Sequence, residues 1–243
     1  MPTRKTQFFP GEFYHIYNRG NAKQDIFYND RDRYRFLQAI CLSNNINSLM
    51  GISELERTGG GYTLVDIKNF FIKNKIESDP FVKIFADCLM PNHFHFIIQE
   101  LKGMGVTNFM QRLGNSYARY FTIKYNRPGS LFQGRFKAVH IKTEDQLKYL
   151  LAYVNVINPA QLIAPKLKEK GIEDFEKVWN FVECYNWSTH QEFLGKRDSI
   201  IVDSSRLFKR VFSTTENYSI FTKNVLQGKE NKMWASIGEL TID

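Results

Sequence analysis

The chain has 243 residues, 43% of them hydrophobic, which is enough for one sizeable core and argues against intrinsic disorder. Its net charge is +8 and 15% of its residues are aromatic, a combination that favours a polyanionic partner with bases that can stack. The alternative is a basic surface that serves only solubility.

The three cysteines, Cys41, Cys88 and Cys184, are too far apart for a CxxC zinc knuckle and odd in number, which speaks against a disulfide framework. The first ten residues lack the apolar core of a signal peptide. No stretch approaches the roughly 18 apolar residues that span a bilayer. We therefore expect a reduced, cytoplasmic protein that does not enter a membrane.

Strand and helix signals alternate along the first two thirds of the chain. The predicted elements are a strand at 11–17, a helix from Asp30, strands at 81–90 and 93–100, a helix capped by Thr107, a strand at 136–142 and a helix from Thr143 to about Ile157. Residues 43–80, with three consecutive glycines at 59–61, are predicted to be an insertion. After Pro165 the composition becomes charged and mixed.

The order β-α-β-β-α-β followed by a helix is typical of the split βαβ, or ferredoxin-like, arrangement. We predict an α+β fold with a central antiparallel sheet and one added helix. The predicted units are residues 1–165, with the insertion at about 43–80, and a C-terminal extension of helices and loops at 166–243.

Two histidines stand two residues apart in the strand predicted at 93–100. Alternate side chains of a strand share a face, so His93 and His95 are expected to point one way while Phe94, Phe96 and Ile98 point the other. Two imidazoles on one face form half of a metal site. The alternative is a pair of histidines whose neighbours satisfy them.

Three cations lie beside glycine turns, where a backbone can approach a ligand closely. Arg19 stands in a predicted Asn-Arg-Gly turn, and Arg135 and Lys137 follow a Phe-Gln-Gly bend. Each could hold a DNA phosphate. The alternative for each is an exposed surface cation. His15 and His140, on predicted strands, are expected to pack or to contact phosphate rather than to bind metal.

Four motifs occur in the same order as in a known family. They are Tyr14–Asn21, Met90–His95, Gly129–Lys137, and Tyr149–Tyr153 followed by Asn158-Pro159. In these motifs the chain resembles the single-tyrosine HUH transposases, specifically the REP-associated tyrosine transposases, over roughly Gly11 to Pro165.

The resemblance implies cleavage and rejoining of single-stranded, hairpin-bearing DNA through a 5′-phosphotyrosine intermediate, in DNA transposition. It implies a divalent metal, Mg²⁺ or Mn²⁺, bound by His93 and His95, and it assigns Tyr153 as the nucleophile. A phenol with a pKa of about 10 is a poor nucleophile at neutral pH, so assistance from a metal is chemically reasonable. Relatives include dimers that share active sites and monomers, so a homodimer is possible.

The third metal ligand is where the sequence departs from the family. The family's asparagine follows the tyrosine by one helical turn, a spacing that selects Ile157 here, whereas Asn158 carries the Asn-Pro signature. On an unbroken α-helix Asn158 would lie about 140° around from Tyr153. Either the helix bulges or ends so that Asn158 still reaches the metal, or Asn155 or water replaces it. A bulge is favoured because the helix must end near Pro159.

Other tyrosines compete for the role of nucleophile. Tyr149 lies one turn before Tyr153, Tyr117 is expected in the core, and Tyr120 and Tyr125 could stack on unpaired bases. The predicted function is a metal-dependent DNA endonuclease and strand transferase. The alternatives are a catalytically weakened or inactive hairpin-binding protein on the same fold, and a ferredoxin-like RNA-binding protein, which would need exposed aromatic residues where His93 and His95 stand.

Overall fold

Four strands form one antiparallel sheet in the computed structural model of the protein, which describes residues 6–47, 69, 72–73, 77–203 and 211–229. The strands are β1 (Phe13–Arg19), β2 (Val82–Met90), β3 (His93–Glu100) and β4 (Lys137–Ile141), in the order β2-β3-β1-β4. Strands β1 and β2 belong to one βαβ unit, and β3 and β4 belong to the second. Strand β3 lies between β1 and β2, and β1 lies between β3 and β4, so each unit is split by a strand of the other. The predicted α+β, split βαβ fold is confirmed.

Helices cover both faces of the sheet. Helices α1 (Asp30–Ser43) and α2 (Gly105–Tyr125) pack on the face that carries Phe94, Phe96 and Ile98. The opposite face carries His93 and His95. There the chain forms α3 (Glu144–Ala152), a π-helical turn (Tyr153–Ile157), α4 (Asn158–Ala160), α5 (Leu167–Lys170), α6 (Phe175–Glu183), α7 (His190–Phe193) and α8 (Thr215–Leu226).

The first turn of α2 differs from the prediction that Thr107 caps it. The helix begins at Gly105, after Met104 in a left-handed conformation with φ 65°. The Gly105 N–H donates to Oε1 of the buried Glu100, 3.2 Å away, so a carboxylate from the end of β3 satisfies the helix start. A Cβ at Gly105 would lie 2.4 Å from the Phe81 carbonyl oxygen, which explains the glycine.

The chain after residue 165 shares a core with the helix that follows β4. Trp179, Val182 and Tyr218 belong to the same apolar cluster as α3. The Trp187 carbonyl accepts a hydrogen bond from the Leu89 N–H, and Ser188 forms a bridge to Cys88, so this segment covers the outer edge of β2. The division predicted at residue 165 remains a prediction.

Most of the insertion predicted at 43–80 lies outside the described residues. Helix α1 extends to Ser43, and the described segment 77–80 leads directly into the strand pair β2 and β3. Across the part of the chain that the structure describes, each helix is too short or too polar to cross a membrane.

Candidate active site

His93 and His95 lie on one face of β3, as the period of the strand predicts. Their ring centroids are 5.0 Å apart, while Phe94 and Phe96 are buried in the cluster on the other face. Strand β3 lies inside the sheet, between β1 and β2, so the position of both imidazoles is fixed by hydrogen bonds on either side.

Each imidazole has one ring nitrogen held by a neighbour. Nδ1 of His93 lies 2.6 Å from Oδ1 of Asn92, and Nδ1 of His95 lies 2.9 Å from Nε2 of His15. Among the described residues, the buried Nε2 of His95 has no hydrogen-bond partner. Such an arrangement is typical of metal-binding histidines, in which a second residue fixes the ring and leaves the other nitrogen for the metal.

Both histidines are held in the neutral form. Burial, and then the nearby Arg19 and Lys168, lower the pKa of His93 to about 4. Burial, followed by His93, His15 and Lys168, lowers the pKa of His95 well below its ordinary value. At neutral pH each ring therefore keeps a lone pair, which is the form that binds a metal.

Tyr153 faces this pair from the π-helical turn. Its side chain is 1% exposed, and its ring centroid lies 5.7 Å from that of His95 and 6.4 Å from that of His15. The ammonium of Lys168, in α5, lies 5.3 Å from the centre of the Tyr153 ring. The contact is a cation–π interaction, which holds the ring against α5.

The π-helical turn explains how Asn158 can share a face with Tyr153. The Asn158 N–H donates to the Tyr153 carbonyl, a bond across five residues rather than four. Pro159 supplies the reason, because it has no N–H to donate to the Asn155 carbonyl and its ring clashes with an α-helical carbonyl at that position. The bulge that the sequence favours is present. The wider turn brings residues five apart nearer to the same face than an α-helix does.

The side chain of Asn158 is buried at the end of the π-helical turn. It is 2% exposed, and its Nδ2 has no hydrogen-bond partner within the described parts of the chain. Rotation of the amide by 180° exchanges Nδ2 with Oδ1, so an oxygen can take the same position. Three or more His, Cys, Asp or Glu side chains do not cluster as a metal site in the described residues.

Asn155 uses its amide elsewhere. Its Nδ2 donates to Oη of Tyr218 at 3.1 Å, and its Oδ1 accepts from Oγ1 of Thr189 at 2.7 Å. Both ends of the amide are therefore occupied by contacts with the chain after residue 165. This geometry disfavours Asn155 as a substitute ligand.

The predicted cations converge beside the histidine pair. Arg19 is the last residue of β1, opposite His93, rather than part of a turn as predicted. Lys137 of β4 pairs with Tyr17 of β1. Tyr17 precedes Arg19 by two residues, so the two side chains lie on the same face of the strand. A cavity of about 230 Å³ brings these three cations together, and its lining is Tyr17, Asn18, Arg19, Gln133, Gly134, Arg135 and Lys137.

His15 and Tyr17 of β1 also lie at the site, although the sequence did not predict this. His15 was expected to pack or to contact phosphate, and it instead forms the hydrogen bond that fixes His95. The ring of Tyr17 lies 5.9 Å from that of His95. Their alternation with Arg19 on one strand was visible in the sequence, but the register between β1 and β3 was not. His140 lies on the opposite face, beside Glu12.

The competing tyrosines lie in other environments. Tyr117 is buried as predicted, on the far side of the sheet, and donates to the Ile26 carbonyl. The hydroxyls of Tyr120 and Tyr125 donate to the buried Asp32, which restrains both rings and disfavours their use as stacking platforms. Burial, and then Tyr153, raise the pKa of Tyr149, which disfavours ionisation of this phenol.

Fold and site together define a split βαβ protein with two neutral histidines in the sheet and a buried tyrosine opposite them. Residues 66–156 match the family described as "Transposase IS200 like". The resemblance to a transposase is therefore confirmed, and the matched segment contains His93, His95 and Tyr153, whereas Arg19 and Asn158 lie outside it.

Eight chains of solved structures also match, among them a structure described as a REP-associated tyrosine transposase bound to a REP hairpin. It is 15% identical, with a TM-score of 0.45, and the match covers 84% of this chain and 96% of that one. No curated protein matches the chain.

Proposed function

We propose that this protein is a metal-dependent single-strand DNA endonuclease and strand transferase that acts on hairpin-bearing DNA. Two observations carry the proposal. His93, His95 and Tyr153 lie together on one side of the sheet. Among the described residues, buried nitrogens of His95 and of Asn158, just after the π-helical turn, have no hydrogen-bond partner. Most buried polar side-chain atoms in proteins have a hydrogen-bond partner, so these unpaired nitrogens support a site that receives a ligand.

His93, His95 and Asn158 would hold a divalent metal such as Mg²⁺ or Mn²⁺. When bound there, the ion would polarise the scissile phosphate and offset its developing negative charge. The protein's own contribution is to keep both imidazoles neutral, to fix their rings through Asn92 and His15, and to exclude water by burial.

Tyr153 is the proposed nucleophile. Its Oη would attack the phosphorus, the bond from phosphorus to the 3′ oxygen would break, and a 5′-phosphotyrosine would form. The phenolic proton is lost and the departing 3′ oxygen gains one, so the step is balanced overall. The reverse attack by a 3′ hydroxyl rejoins a strand without an external energy source.

The cavity lined by Arg19, Arg135 and Lys137 is the proposed path of the DNA backbone to this centre. Arg19 is itself held by Gln133, whose Oε1 accepts from Nη2 at 3.1 Å, so its guanidinium is positioned before DNA binds. The alternative of an inactive hairpin-binding protein was motivated by the displaced Asn158. The π-helical turn, which brings Asn158 nearer to the face of Tyr153, supports the active protein over this alternative.

The decisive experiment is Tyr153→Phe with a labelled single-stranded substrate that carries a hairpin. The wild type should give a protein–DNA adduct on a denaturing gel, and the variant should bind equally well without forming an adduct because only one oxygen is lost. Peptide mapping locates the adduct. An adduct on Tyr149, or cleavage without any adduct, would contradict the proposed mechanism.

A further inference from the structure

A chain of buried hydrogen bonds joins the π-helical turn to the C-terminal part of the molecule. At its centre lies Asn155, which is fully buried and stands between Tyr153 and Asn158 in the sequence. Its amide contacts Tyr218 in α8 and Thr189, which immediately precedes α7. Neither of these residues is part of the proposed catalytic centre.

The backbone carbonyl of Asn155 also accepts a hydrogen bond from outside the helix. Because Pro159 lacks an N–H, the Asn155 carbonyl has lost the donor that an α-helix would supply. Oγ of Ser188 donates to this carbonyl at 3.4 Å. The segment after residue 165 thus supplies a hydrogen bond to the backbone of the π-helical turn.

Thr189 and Tyr218, which contact Asn155, are themselves held by further hydrogen bonds. The Asp87 N–H in β2 donates to Oγ1 of Thr189 at 3.1 Å, and the Thr189 N–H donates to the Asp87 carbonyl. Oη of Tyr218 also lies 2.9 Å from Nδ1 of the buried His190. The hydrogen bonds therefore run from the edge of the sheet through the π-helical turn to helix α8.

We infer that Asn155, Thr189 and Tyr218 are positioning residues that hold the π-helical turn in the register in which Tyr153 and Asn158 face the histidines. This inference rests on the proposed function and gives the chain after residue 165 a role in it. A π-helical turn is rare and competes with the α-helix, so a side-chain lock on its middle residue selects the wider form. Misplacement of a reacting group by about 1 Å can lower a rate by about 100-fold.

Tyr218→Phe and Thr189→Val test the inference, since each removes one hydroxyl and keeps nearly the same shape. Tyr117→Phe is the matched control, because it removes an equally buried hydroxyl on the other side of the sheet. Two quantities are measured for each protein: backbone hydrogen exchange of residues 153–158, and the single-turnover rate of adduct formation at saturating hairpin DNA, with the Kd determined in parallel.

Both test variants should accelerate exchange at 153–158 and slow adduct formation by about 10-fold or more, with a Kd within about twofold of the wild type. The control should change none of these. Unchanged exchange, an unchanged rate, or a rate that falls only in proportion to DNA binding would overturn the inference. If the wild type forms no adduct, the proposed function fails, and the exchange comparison alone still decides whether these residues lock the turn.

Discussion

At the scale of single residues, the site depends on imidazoles that stay neutral because they are buried. A free histidine side chain would be protonated for part of the time near neutral pH, whereas His93 has a pKa of about 4. The hydrogen bonds of His93 with Asn92 and of His95 with His15 hold the two rings in fixed orientations.

His95→Ala tests this arrangement. We expect DNA cleavage to fall by more than about 100-fold, since even residues behind metal ligands are worth 10- to 100-fold. Binding of Mn²⁺, measured by titration in the absence of DNA, should weaken in parallel, while the Kd for hairpin DNA should change little. His140→Ala, on the opposite face of the sheet, is the control. Cleavage by metal-free wild-type protein at the normal rate would contradict the role of the metal.

His190 allows a test of pH dependence away from the proposed ligands. Burial, and then Lys196, lower its pKa to about 3, so below the unfolded pKa of about 6.5 the unfolded chain binds a proton that the native state does not. This residue therefore lowers the stability progressively as the pH falls from about 6.5 to about 3. Its contribution to the slope is about 1.4 kcal/mol per pH unit at most.

His190→Gln should remove that contribution while leaving a polar partner for Tyr218. The free energy of unfolding, measured by urea denaturation at several pH values, should depend less steeply on pH between about 6.5 and 3 than in the wild type. His140→Gln, which removes an imidazole bonded to Glu12 at the surface, serves as the comparison. Equal slopes for His190→Gln and the wild type would show that His190 is protonated in the folded protein.

At the scale of secondary-structure elements, the sequence predicts what depends on local periodicity. The alternation in β3 predicts that His93 and His95 share a face, and Pro159 predicts the break in the helix that follows β4. The sequence does not give the register between β1 and β3, because pairing depends on contacts between distant segments. His15 was therefore missed as a partner of His95, and Arg19 was placed in a turn rather than in the strand.

The π-helical turn makes a prediction of its own about spacing. Deletion of Ile157 should place the asparagine four residues after Tyr153, an offset of about 40° around the axis of an α-helix. Insertion of one alanine after Ile157 makes the offset six. We expect the deletion variant to form the covalent adduct and the insertion variant to form none, as judged on a denaturing gel.

The deletion should also reduce stability, because it removes a fully buried side chain of a type that is worth about 2–5 kcal/mol. Adduct formation is therefore compared at a temperature at which circular dichroism shows both variants to be folded. If the folded insertion variant remained active, Asn158 would not need to share a face with Tyr153, and its assignment as a ligand would be wrong.

At the scale of the whole molecule, the structure shows where part of the excess positive charge lies. The net charge of +8 predicts a polyanionic partner but not where that partner binds. The structure gathers Arg19, Arg135 and Lys137 around one cavity next to His93, although 116 residues separate the first from the second in the sequence. Composition could not have shown this, since it follows from the pairing of β4 with β1.

Binding of hairpin DNA with a single-stranded flank should therefore weaken steeply as salt increases. On single strands the slope of log K against log salt is about −0.7 for each phosphate that a cation neutralises. Arg135→Ala should lower the affinity and make the slope less negative by about 0.7, as measured by fluorescence anisotropy across a salt series. Lys177→Ala removes an exposed cation outside the cavity lining and should leave the slope unchanged. Equal slopes for Arg135→Ala and Lys177→Ala would mean that the positive charge acts as a diffuse field, and the backbone path through this cavity would then have to be abandoned.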